Sequence, residues 1–170
     1  MLLRHASAEI QGYNQEDDHE KPLDSQGKKD SLNLSNWLKR CYIDFELIIS
    51  SNAKRAIQTS EIIFLPLNAS IKKNSLFYLC GFEEIFSTIK DLDDTLSNVV
   101  IVGHEPSMSE TMRSLVGSTR PDLEMYLNVS YQPCTMSFIC FEKKNWHEVK
   151  EKEGLLEGYL NPSMVNVNNG

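Results

Sequence analysis

No apolar run in the 170-residue chain approaches the roughly 18 residues that a membrane-spanning helix needs, so the sequence predicts no transmembrane segment. The one N-terminal apolar run, Met1-Leu2-Leu3, is broken at once by Arg4 and His5, which leaves no hydrophobic region for a secretory signal. Cysteine is sparse: Cys41, Cys80, Cys134 and Cys140 form no Cys-x-x-Cys pair, and Cys41 and Cys140 fall in apolar patterns. Free, buried thiols in a reducing cytoplasm are therefore expected rather than disulfides or a zinc site. Positive charge is also in deficit, with 17 basic against 24 acidic residues and a net charge of −7. That balance argues against a general nucleic-acid or anionic-membrane surface, although a local cationic pocket remains compatible with it. There is no glycine-rich loop ending in Lys-Ser/Thr, hence no evident ATP site, and His104-Glu105-Pro106-Ser107-Met108 lacks the second histidine of a zinc-protease helix. No cysteine is followed five residues later by an arginine-rich phosphate cradle, so a cysteine phosphatase is not indicated. Repeats and low-complexity segments are absent, and the length suits one domain with a sizeable core.

What the chain does contain is a pattern repeated three times. Met1-Leu2-Leu3 ends in Arg4-His5; Leu47-Ile48-Ile49 ends in Ser50-Ser51 and leads to Arg55; Val99-Val100-Ile101-Val102-Gly103 ends in His104. Each apolar run reads as a buried strand, and ligands in open α/β sheets sit at the carboxyl ends of the strands. Two arginines and two histidines at one sheet edge suit a phosphoryl group.

Along the chain, strand one is expected at 1–4, followed by a polar, acidic loop over 6–24 with Glu16, Asp17, Asp18 and Glu20 clustered as a solvated run. Asp24 or Ser25 can cap a helix whose apolar face is Leu34, Trp37, Leu38 and Cys41, running to about Arg40. Strand two is expected at 47–50, with Ser51 as the N-cap of a helix over 53–64 that Pro66 stops. Arg55 in the first turn of that helix opposes the helix dipole, a small cost that a bound anion would offset. Further expectations are a short strand at 70–73, a helix at 82–96, a strand at 99–103, a helix at 106–116, an irregular segment over 118–132, and strands at 135–141 and 155–160. Residues 1–164 read as one domain and 165–170 as a frayed tail. The alternation of strands and helices argues a mostly parallel sheet with helices on both faces. Asp91-Leu92-Asp93-Asp94-Thr95 imitates an aspartyl-phosphate motif but falls at the end of an amphipathic helix, where an acidic, solvated helix end is the better reading.

Leu3-Arg4-His5-Ala6-Ser7-Ala8-Glu9, Ser50-Ser51-Asn52-Ala53-Lys54-Arg55-Ala56-Ile57-Gln58-Thr59 and Val102-Gly103-His104-Glu105-Pro106 resemble, in order, the three signature segments of the histidine phosphatase superfamily. The likeness is nearest to its small phosphohistidine phosphatase branch, the SixA type. Lys21-Pro22-Leu23-Asp24-Ser25-Gln26-Gly27 resembles that family's Arg-Pro-Leu-Thr-x-x-Gly segment with Lys in place of Arg. The resemblance implies an α/β three-layer sandwich of the phosphoglycerate mutase-like kind, without a cap domain because no long insertion separates the third and fourth strands. Residues preceding Met1 are also implied, since the family normally has a few more there. By resemblance, His5 is the nucleophile of a metal-independent phosphatase that needs no cofactor, and Arg4, Arg55 and His104 bind and neutralise the phosphoryl group. Ser7 is a further phosphate donor, about as well explained as a plain loop serine. Glu83, or its neighbour Glu84, is the local carboxylate for the leaving group's proton. His19 and His147 read as ordinary surface or satisfied histidines. Where the family has a supporting Thr and Asn, this chain has Ala8 and Gln11, unlike the mutase and sugar-phosphatase branch. The implied substrate is a phosphohistidine-bearing phosphotransfer protein in cytoplasmic signalling. A small phosphorylated metabolite (sugar, nucleotide or cofactor phosphate) and a non-catalytic phosphate-binding module are the alternatives.

Overall fold

The structure, a computed structural model, describes residues 1–10 and 17–167. Gln11, Glu16 and the last three residues of the expected tail lie outside the described residues.

Seven strands, β1 (Leu2–Arg4), β2 (Leu47–Ser51), β3 (Ser70–Asn74), β4 (Val99–Gly103), β5 (Val116–Thr119), β6 (Met136–Cys140) and β7 (Gly154–Leu160), make one sheet in the order β3-β2-β4-β1-β6-β7-β5. The pairs β3–β2, β2–β4, β4–β1 and β7–β5 are parallel, while β6 runs antiparallel to both its neighbours. The sheet is thus mostly parallel, as the alternation of elements predicts. Among the described residues five α-helices cover it: α1 (Ser25–Lys39), α2 (Lys54–Phe64), α3 (Phe82–Lys90), α4 (Ser107–Leu115) and α5 (Pro162–Val167).

The period of two along each strand divides the apolar residues between two cores. On one face Leu3, Ile48, Val100 and Val102 pack with Leu34 and Leu38 of α1, Ile63 and Phe64 of α2, and Val165 of α5. On the other, Leu2, Ile49, Val99 and Ile101 pack with Ile85 and Ile89 of α3 and Met108 and Met112 of α4. Burial on both faces explains why β4 is apolar throughout, each such side chain contributing about 1.5–3 kcal/mol.

Local chemistry sets the ends of α1. Asp24 is its N-cap, and the Asp24 carboxylate accepts from the Gly27 amide at 2.6 Å. Gly27 itself is required by a close approach: a Cβ there would stand 2.0 Å from the Ser7 carbonyl oxygen. The start of α1 is thereby packed directly under the loop that follows β1.

Some expectations need correction. α3 ends at Lys90, not residue 96, because Asp93 turns back to accept from the Thr95 amide (2.9 Å) and hydroxyl (2.7 Å), a local bond that competes with helix. The Asp91–Thr95 segment is therefore a surface turn. β5 interrupts the segment expected to be irregular. It is short, ends in Gly-Ser-Thr, and pairs with β7 across a register shift, so it carries no alternating pattern to read. At the other end, α5 extends through Val167 with Val165 buried, where fraying was expected from 165. All four thiols are free, but only Cys134 is buried; Cys140 is exposed at the end of β6.

Candidate active site

The order β2-β4-β1 sets three carboxyl ends side by side. Arg4 pairs in register with Gly103, and Ser50 with Val102, so the residues next along each chain share one edge. The His5 and His104 rings lie 5.0 Å apart, centroid to centroid. Arg55, in the first turn of α2, reaches both: its Nε donates to His5 Nε2 at 3.2 Å and its Nη2 stands 3.4 Å from His104 Nδ1. All three are buried.

The hydrogen bonds fix the state of each imidazole. His5 Nδ1 lies 2.7 Å from the Ala6 carbonyl oxygen, which can only accept, so that nitrogen carries the proton. His5 Nε2 accepts from Arg55, so it keeps its lone pair and faces the cluster. Burial, reinforced by His104 and the two guanidinium groups, lowers the His5 pKa to about 3. His104 is likewise held neutral, with its pKa lowered to about 4 by burial and then by Arg55. Its Nδ1 faces a guanidinium that only donates, so Nε2 bears the proton and donates to Ser51 Oγ at 2.8 Å. A phosphate dianion placed between these groups would reverse the electrostatic balance at His104 and favour its protonation.

Arg4 leaves β1 beside His5. Its Nη1 donates to the Tyr131 carbonyl at 2.5 Å, whereas its Nε is buried without an acceptor among the described residues. Burial lowers its pKa, with Glu105 acting against that and Arg55 with it. An orphan guanidinium donor beside a neutral, correctly oriented imidazole is a place where an anionic oxygen would be stabilised.

The other expected site residues make no side-chain hydrogen bond to this cluster among the described residues. The Ser7 hydroxyl donates to Asp24 Oδ2 at 2.5 Å, so its proton is committed to the α1 cap rather than to the pocket. Glu83 is exposed in the first turn of α3 and its side chain makes no hydrogen bond among the described residues; Glu84 caps that helix by accepting from the Gly81 amide at 3.0 Å. Among the described residues, no group of three or more His, Cys, Asp or Glu is arranged to hold a metal ion.

Several site residues escape a reading of the sequence. Ser51, expected as a helix cap, does accept from the Ala53 amide (3.3 Å), but it also holds His104. Thr59 Oγ1 accepts from the Ala6 amide at 3.0 Å and so steadies the carbonyl that orients His5. Tyr78 stands edge-on to His104, with centroids 5.6 Å apart. Asp18, from the acidic run expected to be solvated, reaches Arg55: the guanidinium donates through Nη1 to the Asp18 carbonyl (2.5 Å) and through Nη2 to its carboxylate (2.9 Å). The serine before a helix offers a weak signal for Ser51; nothing local marks Asp18 or Tyr78.

Residues 1–77 match the family model of the histidine phosphatase superfamily (branch 1). An uncharacterized protein of Mycobacterium leprae is 26% identical over 101 residues, which is 59% of this chain, and the match spans only 62% of that relative's length. The fold is similar to a structure provisionally named phosphohistidine phosphatase SixA from Nakamurella multipartitia, with a TM-score of 0.76 and 21% identity, covering 95% of each chain. It is similar also to the protein histidine phosphatase SixA complexed with tungstate, with a TM-score of 0.76 and 19% identity, covering 96% of this chain and 97% of that one. These likenesses establish a common fold from end to end. The matched span carries Arg4, His5 and Arg55, and β4 brings His104 to them from beyond it.

Proposed function

We propose that the protein is a phosphohydrolase that takes the phosphoryl group onto His5, and that its substrate is a phosphohistidine-bearing phosphotransfer protein in cytoplasmic signalling. The observation that carries the reading is the His5 tautomer: Nδ1–H tied to the Ala6 carbonyl, and the Nε2 lone pair turned toward Arg55 and His104. In the first step Nε2 attacks phosphorus, the bond from phosphorus to the substrate nitrogen breaks, and the departing imidazole takes a proton from solvent. Water then attacks the phosphorus on His5; the N–P bond breaks, inorganic phosphate leaves, and the water's remaining proton passes to solvent. Phosphoryl transfer is mainly positioning and charge neutralisation, which Arg4, Arg55 and a His104 that takes up a solvent proton in the field of the bound dianion supply.

An imidazole leaving group needs less acid assistance than an alkoxide, and this agrees with the exposed, unpartnered position of Glu83. The tungstate complex of the SixA neighbour supports the reading as well, tungstate being a tetrahedral oxyanion like phosphate. Free thiols agree with a reducing compartment.

The test is a substrate panel with acid-labile phosphoenzyme trapping. A phosphohistidine protein should be hydrolysed at least ~100-fold faster, in kcat/KM, than sugar, nucleotide or cofactor phosphates, a gap of about 2.7 kcal/mol in transition-state stabilisation. His5→Ala should abolish turnover and trapping, vanadate should inhibit, EDTA should not, and Glu83→Gln should cost less than ~10-fold. Undiminished turnover by His5→Ala would overturn the mechanism. Preference for a phosphomonoester would assign a small-molecule substrate, and tight phosphate binding without a phosphoenzyme would make the protein a binding module.

A further inference from the structure

We propose that Asp18 is a positioning residue, gripping the outer edge of the Arg55 guanidinium so that its inner edge faces the space between His5 and His104. The inference rests on the phosphohydrolase reading above and adds a residue to it.

A guanidinium has two usable edges, and the structure divides them between two tasks. Nε and Nη2 are turned to the imidazoles, at 3.2 Å from His5 Nε2 and 3.4 Å from His104 Nδ1. Nη1 and the outer side of Nη2 donate to the carbonyl and carboxylate of residue 18, at 2.5 and 2.9 Å. A single residue thus engages the outer fork with both its backbone and its side chain.

The grip is itself anchored. Lys21 Nζ lies 3.0 Å from Asp18 Oδ1, and the Tyr78 hydroxyl donates to Oδ2 at 3.0 Å, while the Tyr78 ring stands edge-on to His104. On the same turn, His19 Nε2 is 3.0 Å from Asn52 Oδ1, so the turn is fastened to the connection between β2 and α2 that delivers Arg55. Partial burial pushes the Asp18 carboxyl up, but the bonds from Lys21, Tyr78 and Arg55 outweigh it and hold the group well below the usual carboxylate range. Asp18 is therefore a persistent anion.

Two consequences follow for the pocket. Arg55 loses the rotamer freedom that would otherwise have to be surrendered when phosphate binds. The Asp18 charge also compensates one of two guanidinium groups that perturb the same histidine. A carboxylate that competed with phosphate for Arg55 would occupy the inner edge; this one occupies the outer.

A double-mutant cycle tests the assignment, because a residue acting only through Arg55 should matter only when Arg55 is present. Orthovanadate affinity is measured by calorimetry, and turnover with a phosphohistidine protein, for wild type, Asp18→Ala, Arg55→Ala and the double variant. Asp18→Ala is expected to weaken vanadate binding ~10–30-fold and to lower kcat/KM at least as much, with less than ~2-fold further loss when added to Arg55→Ala. Asp18→Asn, which keeps the shape, carries the same comparison should the alanine variant fail to fold. Tighter vanadate binding in Asp18→Ala, no change, or equal losses with and without Arg55 would each overturn the proposal. A wild type that binds vanadate with the expected cycle but hydrolyses no phosphorylated substrate would remove the phosphohydrolase reading and leave Asp18 in place. Turnover with an additive cycle would do the reverse, and neither turnover nor vanadate binding would overturn both.

Discussion

Acid should weaken the fold through His5 and His104, and the size of the effect can be worked out. An ordinary histidine titrates near 6.5, while burial holds these two at about 3 and about 4. Between those values the unfolded chain binds a proton on each ring that the native state does not, so stability rises with pH and is lost as pH falls from about 6.5 toward the folded values. Integrated from pH 7 to pH 5, each imidazole costs about 2 kcal/mol, and the pair about 4 kcal/mol. Two groups oppose the trend. His19 is raised by its bonds to Asn52 and Glu20, so its contribution is present in acid and lost as pH rises; Asp30 is raised by burial and is eased by protonation. His19 is partly solvated, and at buried Asp30 the bond from Gln26 works against the rise, which keeps both counter-effects small. Stopping at pH 5 stays above the ordinary carboxylate range. Urea unfolding followed by far-ultraviolet circular dichroism at the two pH values gives the difference directly. The buried Met1 ammonium, its pKa lowered to about 6, adds about 1 kcal/mol in the same direction, so replacing His5 by Gln should remove about 2 kcal/mol of the total. A wild-type difference under about 1 kcal/mol, or one unaltered in His5→Gln, would refute the argument that the rings are held neutral by burial.

Two smaller perturbations test how the site is supported. Ser51→Ala leaves His104 Nε2–H without its acceptor and should lower kcat about 10-fold, with a thermal midpoint lowered by several degrees because the bonds from His104 and from the Ala53 amide are both lost; an unchanged kcat would deny Ser51 that role. Gly27→Ala should cost about 2–4 kcal/mol in a urea titration, since a Cβ 2.0 Å from the Ser7 carbonyl oxygen forces α1 away from the loop after β1. A neutral alanine would show that this approach can relax.

The parts of the molecule legible in the sequence are those in which one chemical pattern repeats along the chain. Val99–Gly103 has to be apolar on both faces because α3 and α4 cover one side and α1 and α2 the other, and that necessity is written into five consecutive residues. A polar residue that follows such a run lies at the carboxyl edge of the sheet, so His5 and His104 could be brought together without coordinates. β5 could not be read this way, because an edge strand with a register shift needs no alternation. Tyr131 contributes a backbone carbonyl to Arg4, and a carbonyl has no side-chain signature at all.

Arg55 shows where reading from local rules stops short. A cation in the first turn of a helix opposes the helix dipole, and from sequence alone the missing anion would be assigned to the substrate. The folded chain already supplies one: Asp18, distant along the sequence in a run that looked merely solvated, closes on the guanidinium. The unfavourable placement of Arg55 therefore does not by itself diagnose a phosphate ligand. What points to an anion is the remainder after Asp18 is accounted for, namely an inner guanidinium edge against two neutral imidazoles and a buried Arg4 Nε with no acceptor among the described residues. Those donors converge only because β2, β4 and β1 are neighbours in that order, and strand order is the property that neither periodicity nor capping encodes.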